Sequence, residues 1–121
     1  PGSGGAGRQR GGLGQIIDIA PAEGHALHFN AMFDRVIYPA KGRLGGGNGA
    51  NGGVRLDNGT ELPGKGRQQV AAGQHFILDL PGGGGFGDPK KRPRLLVERD
   101  LRLGYISPEQ ARDEYAYEPD R

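Results

Sequence analysis

The side chains that could carry out chemistry are few and scattered. His25 and His28 form an H-x-x-H pair, His75 stands far along the chain, and Ser3 and Ser107 are the two serines. On an extended strand, residues three apart point to opposite faces, so His25 and His28 are poorly placed to share a metal. Three partly exposed or hydrogen-bonded histidines account for the pattern. Ser3 has no His/Asp partner in view to activate it as a nucleophile. Ser107 is explained by a helix cap. Asn58-Gly59-Thr60 fits a glycosylation sequon, which the turn chemistry of Asn-Gly explains as well. Cysteine is absent, which excludes disulfides and thiolate metal sites and fits a reducing cytosol.

Glycine motifs come next. Gly82-Gly83-Gly84-Gly85-Phe86-Gly87 matches G-x-G-x-x-G after an apolar run. A dinucleotide fold needs the third glycine inside a helix whose N-terminus holds pyrophosphate, and Asp88-Pro89 and Pro93 block that helix. Gly59 to Lys65 resembles a phosphate loop, but Gly66 stands where Ser or Thr must hold magnesium. Arg10-Gly11-Gly12 is a single triplet without interleaved aromatics, so nucleic acid is not an expected partner. The glycine runs beside Arg8, Arg10 and Asp88 leave two readings. Their amides form nests for an anion, or the segments are turns in which backbone packs on backbone. On the first reading Arg8, Arg10, Gly82, Gly83, Gly84, Gly85, Gly87 and Asp88 are candidates for ligand or subunit contact. No catalytic residue and no metal ligand is expected in the chain.

Several elements must position these residues. Residues 15–20 have the apolar pattern of a strand ended by Pro21, and residues 24–31 alternate with Leu27 and Phe29 inward. Residues 35–38 precede Pro39 and are expected to be extended. Val54–Leu56 and Glu61-Leu62 flank Asn58-Gly59, which predicts a hairpin with a type I′ turn. Residues 74–80 form the most apolar strand. From Pro93 the period becomes helical, with Leu95, Leu96, Arg99 and Leu103 on one face and Gly104 as the stop. Ser107-Pro108-Glu109-Gln110 is a capped helix start, with the helix running to about Tyr115. The tail from Glu118 to Arg121 is expected to fray. The fold class is therefore β-rich α+β: antiparallel strands connected by glycine loops, followed by two short C-terminal helices. Residues 1–91 make the β-rich part and residues 92–117 the helical tail of one segment.

Composition sets the limits. The 121 residues include 25 Gly and 9 Pro, and only 34% are hydrophobic. Glycine is costly to order, because each backbone residue gives up about 1–2 kcal/mol of conformational entropy. Such a chain is expected to lean on further parts of a larger protein. Its start, Pro1-Gly2-Ser3, lacks an initiator Met and reads as the middle of a glycine loop. The net charge of +2 is mild and its signs are interspersed, so no strongly charged partner is implied. No apolar stretch approaches the roughly 20 residues of a membrane helix.

Three stretches together are more specific than any of these motifs. They are Ser3 to Gly14, the run Pro81 to Pro89 followed by Arg92, and Asp100 to Arg112 with Tyr115. In this order they resemble the C-terminal end of the hydantoinase B / 5-oxoprolinase family, the N-methylhydantoinase B-type subunits. Gly42 to Gly53 also resembles that family's central glycine-rich loop. The likeness runs from Ser3 to about Tyr117, with Gly2 standing where an acidic residue is expected. The resemblance implies a cytoplasmic, ATP-dependent cyclic-amide hydrolase, or a related ketone carboxylase. It implies that this segment has a mainly structural and assembly role. The expected partners are the rest of the B-type subunit and an A-type ATP-binding subunit, with no membrane. This chain is expected to hold no cofactor itself; ATP and a divalent metal belong elsewhere in the complex. The alternative is a small stand-alone interaction protein derived from the same family.

Overall fold

The computed structural model describes residues 1–119; Asp120 and Arg121, the end of the tail expected to fray, lie outside the described residues. Six strands come first: β1 (Ile16–Ile19), β2 (Leu27–Met32), β3 (Gly53–Leu56), β4 (Glu61–Leu62), β5 (Lys65–Val70) and β6 (Phe76–Asp79). A single 3-10 turn (Pro89–Lys91) and two helices, α1 (Arg94–Arg102) and α2 (Pro108–Tyr115), follow. The fold is β-rich α+β, as the apolar pattern implies.

The strands divide between two antiparallel sheets. One has the order β1-β6-β3-β4 and the other pairs β2 with β5. Their inner faces enclose the larger apolar core. Val54, Leu56, Phe76 and Leu78 come from the first sheet, and Val70 from the second. Leu27 and Phe29 pack against them. Phe29 stacks on Phe76 with ring centroids 4.5 Å apart. The alternation read along β2 holds: Leu27, Phe29 and Ala31 turn inward, while His28, Asn30 and Met32 stay exposed. Each fully buried Val, Leu or Phe contributes about 1.5–3 kcal/mol.

The structure departs from the sequence pattern at four places. β5 carries only one apolar residue, Val70, and forms because all six of its positions pair with β2. Residues 35–38 are bent, not extended; Arg35 lies at φ 58, in the left-handed region. Proline constrains only Tyr38, the residue directly before it, and the carbonyl of Arg35 is held by the Gly52 amide at 2.9 Å. The β3–β4 hairpin exists, but its turn is not type I′. Gly59 has φ 88 and Asn58 is not among the positive-φ residues. The Leu56 carbonyl accepts from the Gly59 amide at 3.0 Å, and the Leu56 amide donates to Thr60 at 2.8 Å. This is a type I turn closed by a left-handed glycine, the usual three-residue alternative.

The fourth departure concerns α1. Leu95 is 78% and Leu103 50% exposed, while Val97 and Asp100 are buried. The helix turns its Val97–Asp100–Leu101 face inward, because that face meets α2 and the first glycine segment. Ala6, Val97, Ile106, Ala111 and Tyr115 make this second, smaller core. The helix ends as expected at Gly104, φ 70. The Tyr105 amide donates to Asp100 and the Gly104 amide to Leu101, the paired bonds of a Schellman stop. α2 begins with the full capping box of Ser107 and Gln110 and Pro108 in its first turn.

Candidate functional site

The three glycine runs are far apart in the chain and meet in space. Segments 3–12, 41–50 and 82–87 each bond to the other two through the backbone. The Gly47 amide donates to Ala6 at 2.7 Å, the Gly5 amide to Gly83 at 2.8 Å and the Gly85 amide to Gly47 at 2.9 Å. Gln9 and Phe86 exchange both their bonds at 2.9 Å. The close approach explains the residue type. A methyl group added at Gly82 would land on the Ser3 carbonyl oxygen, at Gly84 on that of Lys41, and at Gly85 on that of Ala6. At these positions side chains are excluded because other backbones fill the space.

Arg10 ties the layer to the helical tail. Its Nε donates to Asp100 Oδ2 at 3.0 Å, its Nη1 to the Gly11 carbonyl at 2.8 Å, and its guanidinium lies 5.2 Å from the Tyr105 ring centroid. Asp100 is fully buried. It also accepts from Arg92 Nη2 at 2.8 Å and from Arg99 Nη2 at 3.2 Å. Burial pushes the Asp100 carboxyl up, but hydrogen bonds from Arg10 and Arg99 and the charges of Arg92 and Arg10 outweigh it and hold it below the ordinary carboxylate range. Arg92 reaches back with Nη1 to the Arg8 carbonyl at 3.0 Å, and its buried Nε has no hydrogen-bond partner. Tyr115 packs beside this cluster; burial pushes its phenol up, opposed by Arg92. Guanidinium groups stay protonated, so the arrangement clamps and does not shuttle protons.

The remaining candidates separate from this clamp. The side chain of Arg8 is exposed, and its amide donates to Gly87 at 3.2 Å. Asp88 caps the 3-10 turn by accepting from the Lys90 amide at 3.0 Å. Gly82, Gly83, Gly84, Gly85 and Gly87 lie within or beside the layer. A cleft of about 330 Å³ between the layer and α2 is lined by glycine backbone with Asn48, Gln110 and Glu114. The Glu114 carboxylate at this cleft opposes an anion there. His28 faces outward from β2, the His25 backbone amide donates to the Ala22 carbonyl in a turn, and His75 Nδ1 lies 2.8 Å from Asp18. Ser3 Oγ accepts from the Gly14 amide at 2.8 Å. Among the described residues no three His, Asp or Glu side chains gather as a metal site, and no helix is long and apolar enough to cross a membrane.

Asp100, Arg92 and Tyr115 were not singled out as a cluster from sequence. One signal was present. Asp100 lies three residues after Val97 and beside Leu101, at an inward helical position where an unpaired charge is costly.

The chain combines a β-sandwich, a three-segment glycine layer and a two-helix tail. The hydantoinase B/oxoprolinase family model matches residues 1–89, and the chain belongs to that family. It is 33% identical to the caprolactamase subunit beta of Pseudomonas jessenii over 93% of this chain and 21% of that protein. It is 34% identical to the 5-oxoprolinase of Saccharomyces cerevisiae, over 74% of this chain and 7% of that protein. The crystal structure of the ATP-dependent caprolactamase from Pseudomonas jessenii is similar with a TM-score of 0.77 and 28% identity, covering 98% of this chain and 22% of that one. The chain thus spans about a fifth of the length of the caprolactamase subunit it matches.

Proposed function

We propose that this chain is the C-terminal segment, one unit from residue 1 to 121, of the B-type subunit of a cytoplasmic, ATP-dependent cyclic-amide hydrolase. Its role is to complete the subunit's fold and support assembly. The observation that carries the reading is the glycine layer. Most of its glycines meet other backbones where a side chain would stand, and Arg10 and Arg92 are paired with Asp100, which supports an architectural role for this segment. Caprolactamase and 5-oxoprolinase, the similar proteins, are named for cyclic amides, and the former is ATP-dependent.

On this reading ATP and a divalent metal are held elsewhere in the complex. The exposed end of the layer, with Arg8, Gly87 and Asp88, meets the A-type ATP-binding subunit. Arg10 and Gly82 to Gly85 shape that end from behind. Two measurements test it. An antibody against the segment should detect a native polypeptide several times longer than this chain. In the assembled complex, Arg8→Ala should lower lactam-dependent ATP hydrolysis and weaken subunit association. Unchanged association and unchanged hydrolysis would remove Arg8 from the contact.

A further inference from the structure

The connection between β2 and β3 is long and irregular, yet it is tied to itself. The Gly52 amide donates to Arg35, the Gly49 amide to Ala40, the Gly42 amide to the Asn48 side chain and the Gly46 amide to Arg43, all at 2.9–3.0 Å. These rungs make a tapering double-limbed arm with its tip at Leu44-Gly45. The return limb bonds to the other two glycine segments through Gly47 and Ala50. The outgoing limb carries Ile37, Tyr38 and Leu44 at 74%, 80% and 77% exposure.

Two of the three positive-φ residues other than glycine among the described residues lie on this limb, Arg35 at φ 58 and Leu44 at φ 48. A left-handed leucine is disfavoured; Leu44 and Gly45, at φ 89, form the tight turn closed by the Gly46 amide on Arg43, and that turn holds Leu44 out at the tip. Val36 anchors the root: a methyl group at Gly64 would strike its side chain. Beside the root is a cleft of about 290 Å³ lined by Met32, Phe33, Val36, Leu78, Leu80 and Pro81. From Arg35 to Leu44 the limb carries Arg35, Lys41 and Arg43 and no acidic residue; Asp34 and Asp79 line the cleft at its root and are paired with Lys65 and Arg55. Exposed Tyr38 among arginines matches the residue types enriched at interface centres, and Ile37 and Leu44 add apolar area beside it.

We infer that the outgoing limb, residues 35–44, is a docking arm for the remainder of the B-type polypeptide. It meets an apolar surface bearing carboxylates, one side chain of which fills the cleft at the arm's root. This rests on the reading that the chain belongs to a longer subunit. The length supports that source over a separate partner, since 79% of the similar caprolactamase subunit lies outside the matched region (100 − 21). A surface on the same polypeptide faces the arm at high effective concentration.

The test uses thiol accessibility, since the chain has no cysteine of its own. Tyr38→Cys and Leu44→Cys are made in this chain and in the full-length subunit that contains it. Labelling at each introduced thiol is followed by mass spectrometry. Both thiols should react freely in the 121-residue chain. In the full-length subunit they should react only through an undocked state populated at about 0.1–10%, and so at least about tenfold more slowly. Adding Arg43→Glu should restore much of the rate. Equal rates in both proteins overturn the docking arm. Protection that appears only after the ATP-binding subunit is added overturns the choice of occupant. Protection that survives Arg43→Glu overturns the carboxylate-bearing surface. A native polypeptide no longer than this chain removes the longer-subunit reading, and the arm's occupant with it. Free thiols inside a longer polypeptide remove the arm alone.

Discussion

The sandwich and the glycine layer solve opposite packing problems. The sandwich fills its interior with side chains: Val54, Leu56, Val70, Phe76 and Leu78 interlock between two sheets. The layer empties its interior of side chains, so that three backbones approach until their amides and carbonyls satisfy one another. The first is held by apolar area removed from water. The second is held by backbone hydrogen bonds, each contributing only about 0.5–1.5 kcal/mol net, and by the buried Asp100 clamp at its end. The comparison shows why so glycine-rich a chain still folds. Its glycines are not slack between elements; they are themselves a packed layer.

The largest expected effect tests that statement directly. Gly82→Ala places a methyl group on the Ser3 carbonyl oxygen. It should exceed the about 1–3 kcal/mol of ordinary overpacking and abolish a cooperative thermal transition of the purified chain. Gly12→Ala, where an added methyl group meets nothing within 4 Å, should melt like the parent or slightly higher. If both variants melt alike, close backbone approach is not what holds the layer.

Asp100→Ala comes next. It leaves Arg10 and Arg92 buried without their carboxylate and should cost about 3–5 kcal/mol in urea unfolding. The pH dependence has a definite sign. The folded carboxyl is held below its unfolded value, so its contribution is complete above the unfolded pKa of about 3.9 and fades as pH falls toward the lower folded value. The gap between parent and Asp100→Asn stabilities should therefore narrow below about pH 4. A gap unchanged across that range would deny the clamp an electrostatic origin.

Val70→Ala, at a fully buried sandwich position, removes two methyl groups. It should cost about 2 kcal/mol from transfer alone at roughly 0.8 kcal/mol per group, plus a cavity contribution. Unlike the Asp100 effect, it should not change across the acid range. Ser107→Ala removes the side-chain cap on α2 and should cost about 1 kcal/mol, seen as a small fall in helical circular dichroism and in Tm.

The sandwich was the more legible half. β1, β2, β3, β4 and β6 follow from alternation and turn residues, and Ser107-Pro108-Glu109-Gln110 spelled out its capping box. β5 did not show itself, because Lys65 to Gln69 have no apolar member and the strand is imposed by its partner. α1 was legible as a helix but not in its orientation. Leucines at 95 and 103 outweighed Val97 in the pattern, while the inward face includes an aspartate. The layer was legible as glycine but not as structure. Its determinants are which backbones lie beside which, across gaps of tens of residues. The same holds for the clamp, since Arg10 and Asp100 are ninety positions apart. No periodicity encodes such a pair. For Arg8, Gly82 to Gly87 and Asp88, the sequence supplied the place, and contact with a partner is for the Arg8→Ala experiment to decide.

A consequence of the three-way bonding of the layer concerns time. Segment 82–87 bonds to both of the others, so the layer cannot close until residue 87 has emerged during synthesis. Segments 3–12 and 41–50 must wait in a conformationally expensive open state while the chain lengthens. The β3–β4 hairpin forms from local contacts and can appear early, and distant pairings of this kind are slow. Synthesis therefore passes through a stage in which segments 3–12 and 41–50 have no complete partner. That stage is where a chaperone has the most to do.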